Sequence, residues 1–264
     1  MIGQHLSHDY LFRFGGIARL YGQAALVKLA ASKVVVIGIG GVGSWTAEAL
    51  IRTGVGEITL YDLDDVCTSN INRQLHALDS TVGQSKVEVM AKRLLQINPE
   101  AKINVLSRFI TLNNLAQELN QGFDVVVDAT DTVPVKAGII HWCRRNKVGL
   151  VVVGGAGGQV DPRLVTTQDL ARTTQDPLLA KVRSLLRRDY GFTRDLKKRF
   201  NVDCVFSTEQ LVYPQADGSV ACHKPQAGEA LKLDCASGFG SASFVTGTFG
   251  FVAAQRVIER IVKC

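Results

Sequence analysis

The sequence predicts an α/β fold built on a doubly wound, mostly parallel sheet. Short apolar segments rich in β-branched residues alternate with segments in which apolar residues recur at helical spacing. A glycine-rich turn follows the first apolar segment, and polar residues cluster after the later ones. Near-continuous apolar strands separated by helices are typical of a parallel sheet that is covered on both faces.

Five strands are predicted in the first part of the chain, at residues 33–37, 57–62, 102–106, 123–128 and 148–153. The intervening helices are predicted at residues 43–53, 83–97, 112–119 and 134–146. The pattern changes after Gly154. There we expect a strand over residues 159–166, a basic helical segment, and short strands near Val205 and Leu211. This part is predicted to be a C-terminal extension of mixed strands and helices.

Cysteine usage and the N-terminus indicate a cytoplasmic protein. The six cysteines stand far apart, and no C-x-x-C pair suggests a zinc site or a redox dithiol. The first residues lack a basic region followed by an apolar core, so we expect no secretory signal. The apolar content of 46% is ample for a buried core.

One uncharged stretch, residues 236–254, is nearly long enough to span a membrane. It contains four glycines and five Ser or Thr residues, and it continues into a segment with an apolar helical stripe. Weakly apolar, glycine-rich segments insert poorly into membranes. We therefore expect a loop followed by a close-packed buried helix, and no membrane association.

The net charge of +6 is concentrated in residues 181–200, which hold eight Lys or Arg against two Asp. Such a segment is the electrostatic footprint of a nucleic-acid binder. The alternative is a solvated helix face, and charge alone leaves both interpretations open. The candidate contacts to an RNA backbone are Arg183, Arg187, Arg188, Lys197 and Lys198.

The stretch VVVIGIGGVGSW, residues 34–45, has the G-x-G-x-x-G spacing of a Rossmann-like phosphate turn. Asp62 follows the next strand, 19 residues after Gly43, where such folds place an acid that binds a ribose. This pattern fits NAD and ATP equally. An NAD-dependent dehydrogenase is therefore one hypothesis.

The residues after the second and fourth strands favour nucleotidyl chemistry over hydride transfer. Charge builds on the α-phosphate and on the departing pyrophosphate during such a reaction, and cations and amides at fixed positions stabilise it. A carboxylate beside a triphosphate is also a natural Mg²⁺ ligand. The residues that could supply these groups are Asp64, Asn70, Arg73, Gln74, Lys86, Asp128 and Asp131.

The series G-I-G-G-V-G, D-L-D-D-V with S-N-I-N-R-Q, V-G-Q-S-K and D-A-T-D resembles the ubiquitin-activating-like adenylyltransferases. The resemblance implies ATP and Mg²⁺ as cofactors. It places Asp62 on the ribose and Asp131 on Mg²⁺. It places Asn70 on the triphosphate, together with Arg73 and Lys86 as catalytic cations. The glycines that it places near the phosphates are Gly38, Gly40, Gly41 and Gly43.

The family also has an R-Y-x-R-Q segment whose second arginine reaches the γ-phosphate across a dimer interface. The segment FRFGGIARLYG is similar, with Arg13 at the first arginine and Gly16 at the second. The resemblance thus implies a homodimer, and Arg13 or Arg19 is the candidate replacement for the missing arginine.

Members of the family that load sulfur-carrier proteins usually hold zinc with two C-x-x-C pairs, which this chain lacks. The runs RFGGIARLYG, INRQLHAL, GGAGGQVDP, VDCVFSTE and DCASGFG instead resemble a branch that acts on threonylcarbamoyladenosine in tRNA. This resemblance implies ATP-dependent cyclisation of that nucleoside through an acyl adenylate of its threonyl carboxylate. The alternatives are activation of a sulfur-carrier protein and a non-catalytic scaffold for a cysteine desulfurase, which is also a possible partner.

Two further features are candidates for contact with the substrate. The glycine-rich run 154–158 leaves room for backbone N–H groups of Gly155 and Gly157 to approach it. Cys235 stands where a thioester nucleophile could lie, although no cation or base is adjacent to activate it.

The whole chain, 1–264, is expected to form a single adenylation domain, because no repeat or proline-rich linker interrupts it. Within it we expect an N-terminal helical segment at 1–32 and a nucleotide-binding core at 33–158. Residues 159–264 are expected to bind the tRNA substrate and to form the dimer.

Overall fold

The structure is a computed structural model that describes residues 6–215, 217–223 and 239–263. It confirms the α/β fold with a mostly parallel, doubly wound sheet. The strands are β1 Lys33–Ile37, β2 Glu57–Tyr61, β3 Lys102–Leu106, β4 Val125–Asp128, β5 Gly149–Val153, β6 Val165–Asp169, β7 Asp203–Ser207, β8 Tyr213–Pro214 and β9 Val220–Ala221. The helices are α1 His8–Tyr21, α2 Gln23–Ala31, α3 Gly43–Arg52, α4 Lys86–Ile97, α5 Leu115–Leu119, α6 Val133–Asn146, α7 Pro177–Asp189 and α8 Ser243–Lys263.

Seven strands form the main sheet in the order β3-β2-β1-β4-β5-β7-β6. All neighbours are parallel except β6, which runs antiparallel to β7 at one edge. β8 and β9 form a separate antiparallel hairpin. The strand order reverses between β1 and β4, and open α/β sheets bind ligands outside the carboxyl ends of the strands at such a switch point.

Alternate residues of the strands point to two apolar cores, one on each face of the sheet. Val34 and Val36 of β1 pack with α3, α4 and α8, whereas Val35 and Ile37 pack with α5, α6 and α7. The near-continuous apolar strands follow directly from this burial on both faces.

Helix α8 contains the second part of the uncharged stretch. It packs along α3, and a Cβ on Gly250 would lie 2.6 Å from Cβ of Trp45. The glycines therefore allow two helices to approach closely, as the sequence predicted. Among the described residues, no helix is long and apolar enough to cross a membrane.

Two predictions in the second half were wrong in their bounds. The strand expected at 159–166 begins only at Val165, because Pro162 starts a 3₁₀ turn whose first N–H donor is missing. The basic segment is helical only to Asp189, since Gly191 adopts a positive φ of 69°. The remaining basic residues up to Arg199 lie in a loop.

Candidate active site

The glycine turn joins β1 to α3 and requires glycine at two positions. Gly38 has a φ of 87°, and a Cβ there would lie 2.9 Å from the carbonyl oxygen of Ala129. A Cβ on Gly43 would lie 1.8 Å from the carbonyl oxygen of Gly38. The turn is therefore too tight for a side chain at these two positions. No side chain caps the first turn of α3, and the N–H groups of Ser44 and Thr46 donate to the carbonyls of Gly40 and Val42. A helix start without a side-chain cap is a common position for an anion.

Asp62 holds the glycine turn against the end of β2. One carboxylate oxygen accepts a hydrogen bond of 2.7 Å from the N–H of Ile39, and the other accepts one of 2.9 Å from the N–H of Asp64. Each oxygen retains a lone pair, so the carboxylate can still accept a hydroxyl group of a ribose. The sequence-predicted partner of the turn is thus in contact with it.

Lys86 is linked to the same group of residues through Asp64. Its Nζ atom lies 2.8 Å from a carboxylate oxygen of Asp64, and its side chain is buried, whereas that of Asp64 is half exposed. Lys86 is the first residue of α4, and its N–H donates to the carbonyl of Asp64. Two contacts therefore fix the position of this buried cation.

The segment between β2 and α4 contributes three further side chains. Asn70 is buried and accepts from the N–H of Cys67 with its amide oxygen, so its NH₂ group is the part that can meet a ligand. The Arg73 guanidinium donates to the carbonyl of Ser69 at 2.5 Å and to Asn72. The Arg73 side-chain stem lies 3.5 Å from the position of a Cβ on Gly41.

Gln74 places its amide beside the glycine turn. Its Nε2 atom lies 4.0 Å from the position that a Cβ on Gly40 would take. Its buried Oε1 atom has no hydrogen-bond partner among the described residues. A buried polar atom without a partner is costly unless a ligand or water supplies one.

The two acids after β4 occupy different environments. Asp128 is fully buried and forms an ion pair with Lys136, whose Nζ atom lies 3.0 Å from its Oδ2 atom. The other oxygen accepts from the N–H and the hydroxyl of Thr130. Asp131 is exposed in the following loop. Asp128 therefore shapes the loop that presents Asp131, and only Asp131 faces solvent.

The glycine-rich run after β5 approaches protein atoms. A Cβ on Gly154 would lie 2.1 Å from Oδ2 of Asp176, and one on Gly157 would lie 2.8 Å from Cβ of Phe239. The N–H of Gly155, which was predicted to approach the substrate, donates to Asp176 at 2.9 Å. Asp176 also caps α7 by accepting from Leu179, and its burial raises the pKa of its carboxyl group.

Sequence reasoning did not identify Asp176 and Lys136. An Asp followed by Pro at a helix start was a signal for the first, because Asp is a preferred N-cap and Pro a preferred first residue. A lysine on the apolar face of α6 was a signal for the second, since a buried lysine requires a partner.

Arg13 does not join this group of residues in its own chain. It forms an ion pair of 2.6 Å with Asp9 and lines a cavity with Arg52 and Arg93. Arg52 ends α3, whereas the glycine turn begins that helix. At about 1.5 Å per residue, the length of α3 separates Arg52 from the glycine turn by about 15 Å.

The basic segment ends away from the glycine turn. Three of its five predicted arginine and lysine residues are used within the protein: Arg183 donates to the hydroxyl of Thr173, Arg187 lies over the ring of Phe200, and Arg188 pairs with Asp189. Lys197 and Lys198 are exposed. The segment leads into the start of β7, at the amino-terminal edge of the sheet, opposite the glycine turn.

Cys235 lies outside the described residues. Among the described cysteines, burial raises the pKa of the Cys143 thiol to about 12 and that of Cys204 well above its usual value. Both are therefore protonated and structural. No cluster of three or more His, Cys, Asp or Glu residues that could hold a metal ion occurs in the described ranges.

The residues at the carboxyl edge fit a nucleoside triphosphate with Mg²⁺. The glycine turn and the uncapped start of α3 offer N–H groups to phosphates, and the orphaned amide oxygen of Gln74 lies beside the turn. Asp131 offers one exposed carboxylate. Mg²⁺ commonly takes one or two carboxylates and completes its shell with phosphate oxygens and water.

The fold and the site together define a nucleotide-binding enzyme of the adenylate-forming class. The chain belongs to the ThiF family, whose model matches residues 16–264. It is 54% identical over 257 residues to the tRNA threonylcarbamoyladenosine dehydratase of Escherichia coli, covering 97% of this chain and 96% of that protein. It is 49% identical over 255 residues to the protein of the same name from Haemophilus influenzae, covering 97% and 95%.

Its fold matches a solved structure named TcdA (CsdL), with a TM-score of 0.91 and 51% identity over 98% of each chain. The structure of the E. coli dehydratase in complex with ATP matches with a TM-score of 0.88, at 49% identity over 98% of each chain.

Proposed function

We infer that this chain catalyses the ATP-dependent dehydration of threonylcarbamoyladenosine in tRNA. The observation that carries the inference is the buried cation Lys86, which is connected through Asp64 and Asp62 to the glycine turn. A hydride carrier has no need of a buried cation at its phosphates, whereas attack on an α-phosphate does. The substrate is inferred from the similarity to dehydratases over nearly the whole chain.

In the first step, the threonyl carboxylate attacks the α-phosphorus of ATP, an acyl–oxygen–phosphorus bond forms, and pyrophosphate leaves. The glycine turn and the N–H groups of α3 bind the phosphates, and Asp62 accepts a ribose hydroxyl. Lys86 and Arg73 stabilise the negative charge that builds on the phosphates, together with the amides of Asn70 and Gln74. Asp131 would hold Mg²⁺, and Asp64 orients Lys86.

In the second step, an atom of the neighbouring ureido group attacks the activated carbonyl and AMP leaves. The net change in the nucleoside is the loss of one water molecule. Nucleophile and electrophile belong to one side chain, so this step requires positioning more than a covalent protein intermediate. The buried Asp128–Lys136 pair and Asp176 support the loops on either side of this space. Cys235 is the candidate if a covalent step exists.

Other parts of the chain are assigned by the same proposal. Exposed cations of the 181–200 segment bind the tRNA backbone, within an extension, 159–264, that follows the nucleotide-binding core at 33–158. Arg13 meets the nucleotide of a second subunit, because its distance from the turn in its own chain excludes direct contact. The enzyme then acts as a cytoplasmic homodimer, and a cysteine desulfurase is a candidate partner.

Pyrophosphate release tests the function directly. The purified protein is incubated with ATP, Mg²⁺ and tRNA that carries threonylcarbamoyladenosine, and with the same tRNA lacking the modification. We expect pyrophosphate to be released only with the modified tRNA. The product nucleoside should be lighter by the mass of one water molecule in mass spectrometry. Release that requires a sulfur-carrier protein instead of tRNA would identify the alternative adenylyltransferase.

A further inference from the structure

A second cavity opens at the amino-terminal edge of the sheet, opposite the glycine turn. The starts of β4 and β5 and the ends of α2, α6 and α8 enclose about 630 Å³, a volume typical of small-ligand sites. Its floor is apolar and includes Val125, Val148 and Ile261. None of its lining residues has a part in the proposed ATP site.

The lining of this cavity is strongly cationic. It includes Lys28, Arg144, Lys147 and Arg260 against one acid, Asp124. The Asp124 carboxylate accepts from the N–H of Lys33 at 2.7 Å, and Arg260 pairs with Asp203 at 2.7 Å.

Two of these cations are exposed and have no ion-pair partner among the described residues. Arg144 and Lys147 are exposed, and neither forms an ion pair within the described part of the chain. An anion at the mouth of the cavity would therefore meet two cations that form no ion pair with a carboxylate of the described residues.

The backbone supplies an independent observation. Lys147 follows the last residue of α6 with a φ of 57°, a position and conformation that usually belong to glycine. Asn201, also in the lining, has a φ of 54°. Only one other described non-glycine residue, Gln175, has a positive φ. Strained backbone is commonly retained where a side chain has a binding role.

We propose that this cavity is a second nucleotide site that holds one unpaired nucleotide of the RNA substrate. The base lies on the apolar floor, and its phosphate lies between Arg144 and Lys147. A cationic mouth over an apolar floor complements a nucleotide, which combines a charged phosphate with a flat base. The proposal rests on the proposed tRNA-modifying function.

Continuity along the chain favours an RNA strand over a free mononucleotide. The lining residues Asn201 and Val202 follow directly after the exposed cations Lys197, Lys198 and Arg199. Exposed cations therefore lie within a few residues of the lining, where they can meet the neighbouring phosphates of an RNA strand. A mononucleotide has no neighbouring phosphate to reach them.

The test compares Arg144→Ala, Lys147→Gly and their double variant with Arg145→Ala, a matched control. Arg145 is the next residue of α6 and is exposed, but it does not line the cavity. Binding of labelled tRNA, and of AMP with the ATP site saturated by a non-hydrolysable ATP analogue, is measured between about 50 and 200 mM salt. We expect the double variant to bind tRNA about tenfold more weakly, and its salt slope to fall by about 1 per removed contact. Arg145→Ala should stay within about twofold of the unsubstituted protein.

Lys147→Gly separates binding from folding, because glycine relieves the positive φ and should raise the melting temperature while the charge is lost. Unchanged tRNA affinity and salt slope in the double variant would overturn the proposal. So would a loss of AMP binding at this cavity with tRNA binding intact, which would identify a mononucleotide site. The unsubstituted enzyme is assayed for pyrophosphate release with modified tRNA, and failure there rejects the proposed function itself.

Discussion

Lys136 and Asp128 form an ion pair that is completely inaccessible to solvent, with Nζ 3.0 Å from Oδ2. Nζ also donates to the backbone carbonyl of Asp128 at 3.1 Å. The pair connects the end of β4 to α6 and sets the path of the loop that carries Asp131. A buried lysine thus supports the loop that carries the proposed Mg²⁺ ligand.

Replacement of Lys136 by Met should destabilise the fold by about 3–5 kcal/mol, since it leaves a buried carboxylate without a partner. Chemical denaturation measures the change. The double variant Lys136→Met/Asp128→Leu should regain a large part of the loss, because both charges are then absent. A single variant that loses less than about 1 kcal/mol would contradict the importance of the pair.

Lys86→Ala should lower kcat for pyrophosphate release by about 10²–10³-fold, because a cation at the reacting phosphate is removed. The matched control is Lys92→Ala, an exposed lysine on the same helix α4, which should retain full activity. Circular dichroism of both variants checks that they are folded. Equal activity of the two variants would show that Lys86 has no catalytic role.

Gly43→Ala should abolish ATP binding, because the added Cβ would lie 1.8 Å from the carbonyl oxygen of Gly38 and the turn must open. Gly16→Ala is the control for the same chemical change. Gly16 lies within α1 with space for a methyl group, so Ala should stabilise that helix by about 0.5–1 kcal/mol. Titration with ATP and thermal unfolding measure the two effects, and ATP binding by Gly43→Ala would refute the tight turn.

The buried side chain of His76 should make the free energy of unfolding fall in acid. Burial, and secondly the charge of Lys86, lower the pKa of His76 to about 4, and neither ring nitrogen has a hydrogen-bond partner among the described residues. Between the ordinary value of about 6.5 and this lower value, the unfolded chain binds a proton that the folded chain does not. Stability should therefore fall as the pH decreases through this window, by up to about 3 kcal/mol.

Urea denaturation at several pH values between about 4 and 7 checks this effect. His76→Gln should flatten the dependence, because glutamine has no proton to gain. If the variant and the unsubstituted protein lose stability in parallel, other groups cause the acid sensitivity.

Most of the fold was predictable because parallel strands buried on both faces require continuous apolar segments, and β1 to β5 stand within two residues of their predicted starts. The wrong bounds fell where one residue overrides the pattern. Because Pro162 starts a 3₁₀ turn, β6 begins later than predicted. Gly191 lies in the loop in which the basic segment continues after α7. Such local breaks are weak signals beside an apolar period.

For the candidate site, spacing along the chain was informative where function depends on a turn or on a strand end. Asp62, predicted to bind the ribose, contacts the glycine turn, and Lys86 reaches the same group through Asp64. Asp128 and Asp131 looked equivalent in the sequence. The structure separates them, because residues three apart across the end of a strand can point into the core and into solvent.

The sequence by itself determined the order of strands and helices, the phosphate turn and the residues that follow the strand ends, since each depends on neighbouring residues. Only the tertiary structure decided that Lys136 neutralises Asp128, that Asp176 occupies the space beside Gly154, and that the basic segment ends at the edge opposite the glycine turn. The physical reason is that burial and charge pairing join residues far apart in the chain, and the apolar period specifies a face of an element but not its partner.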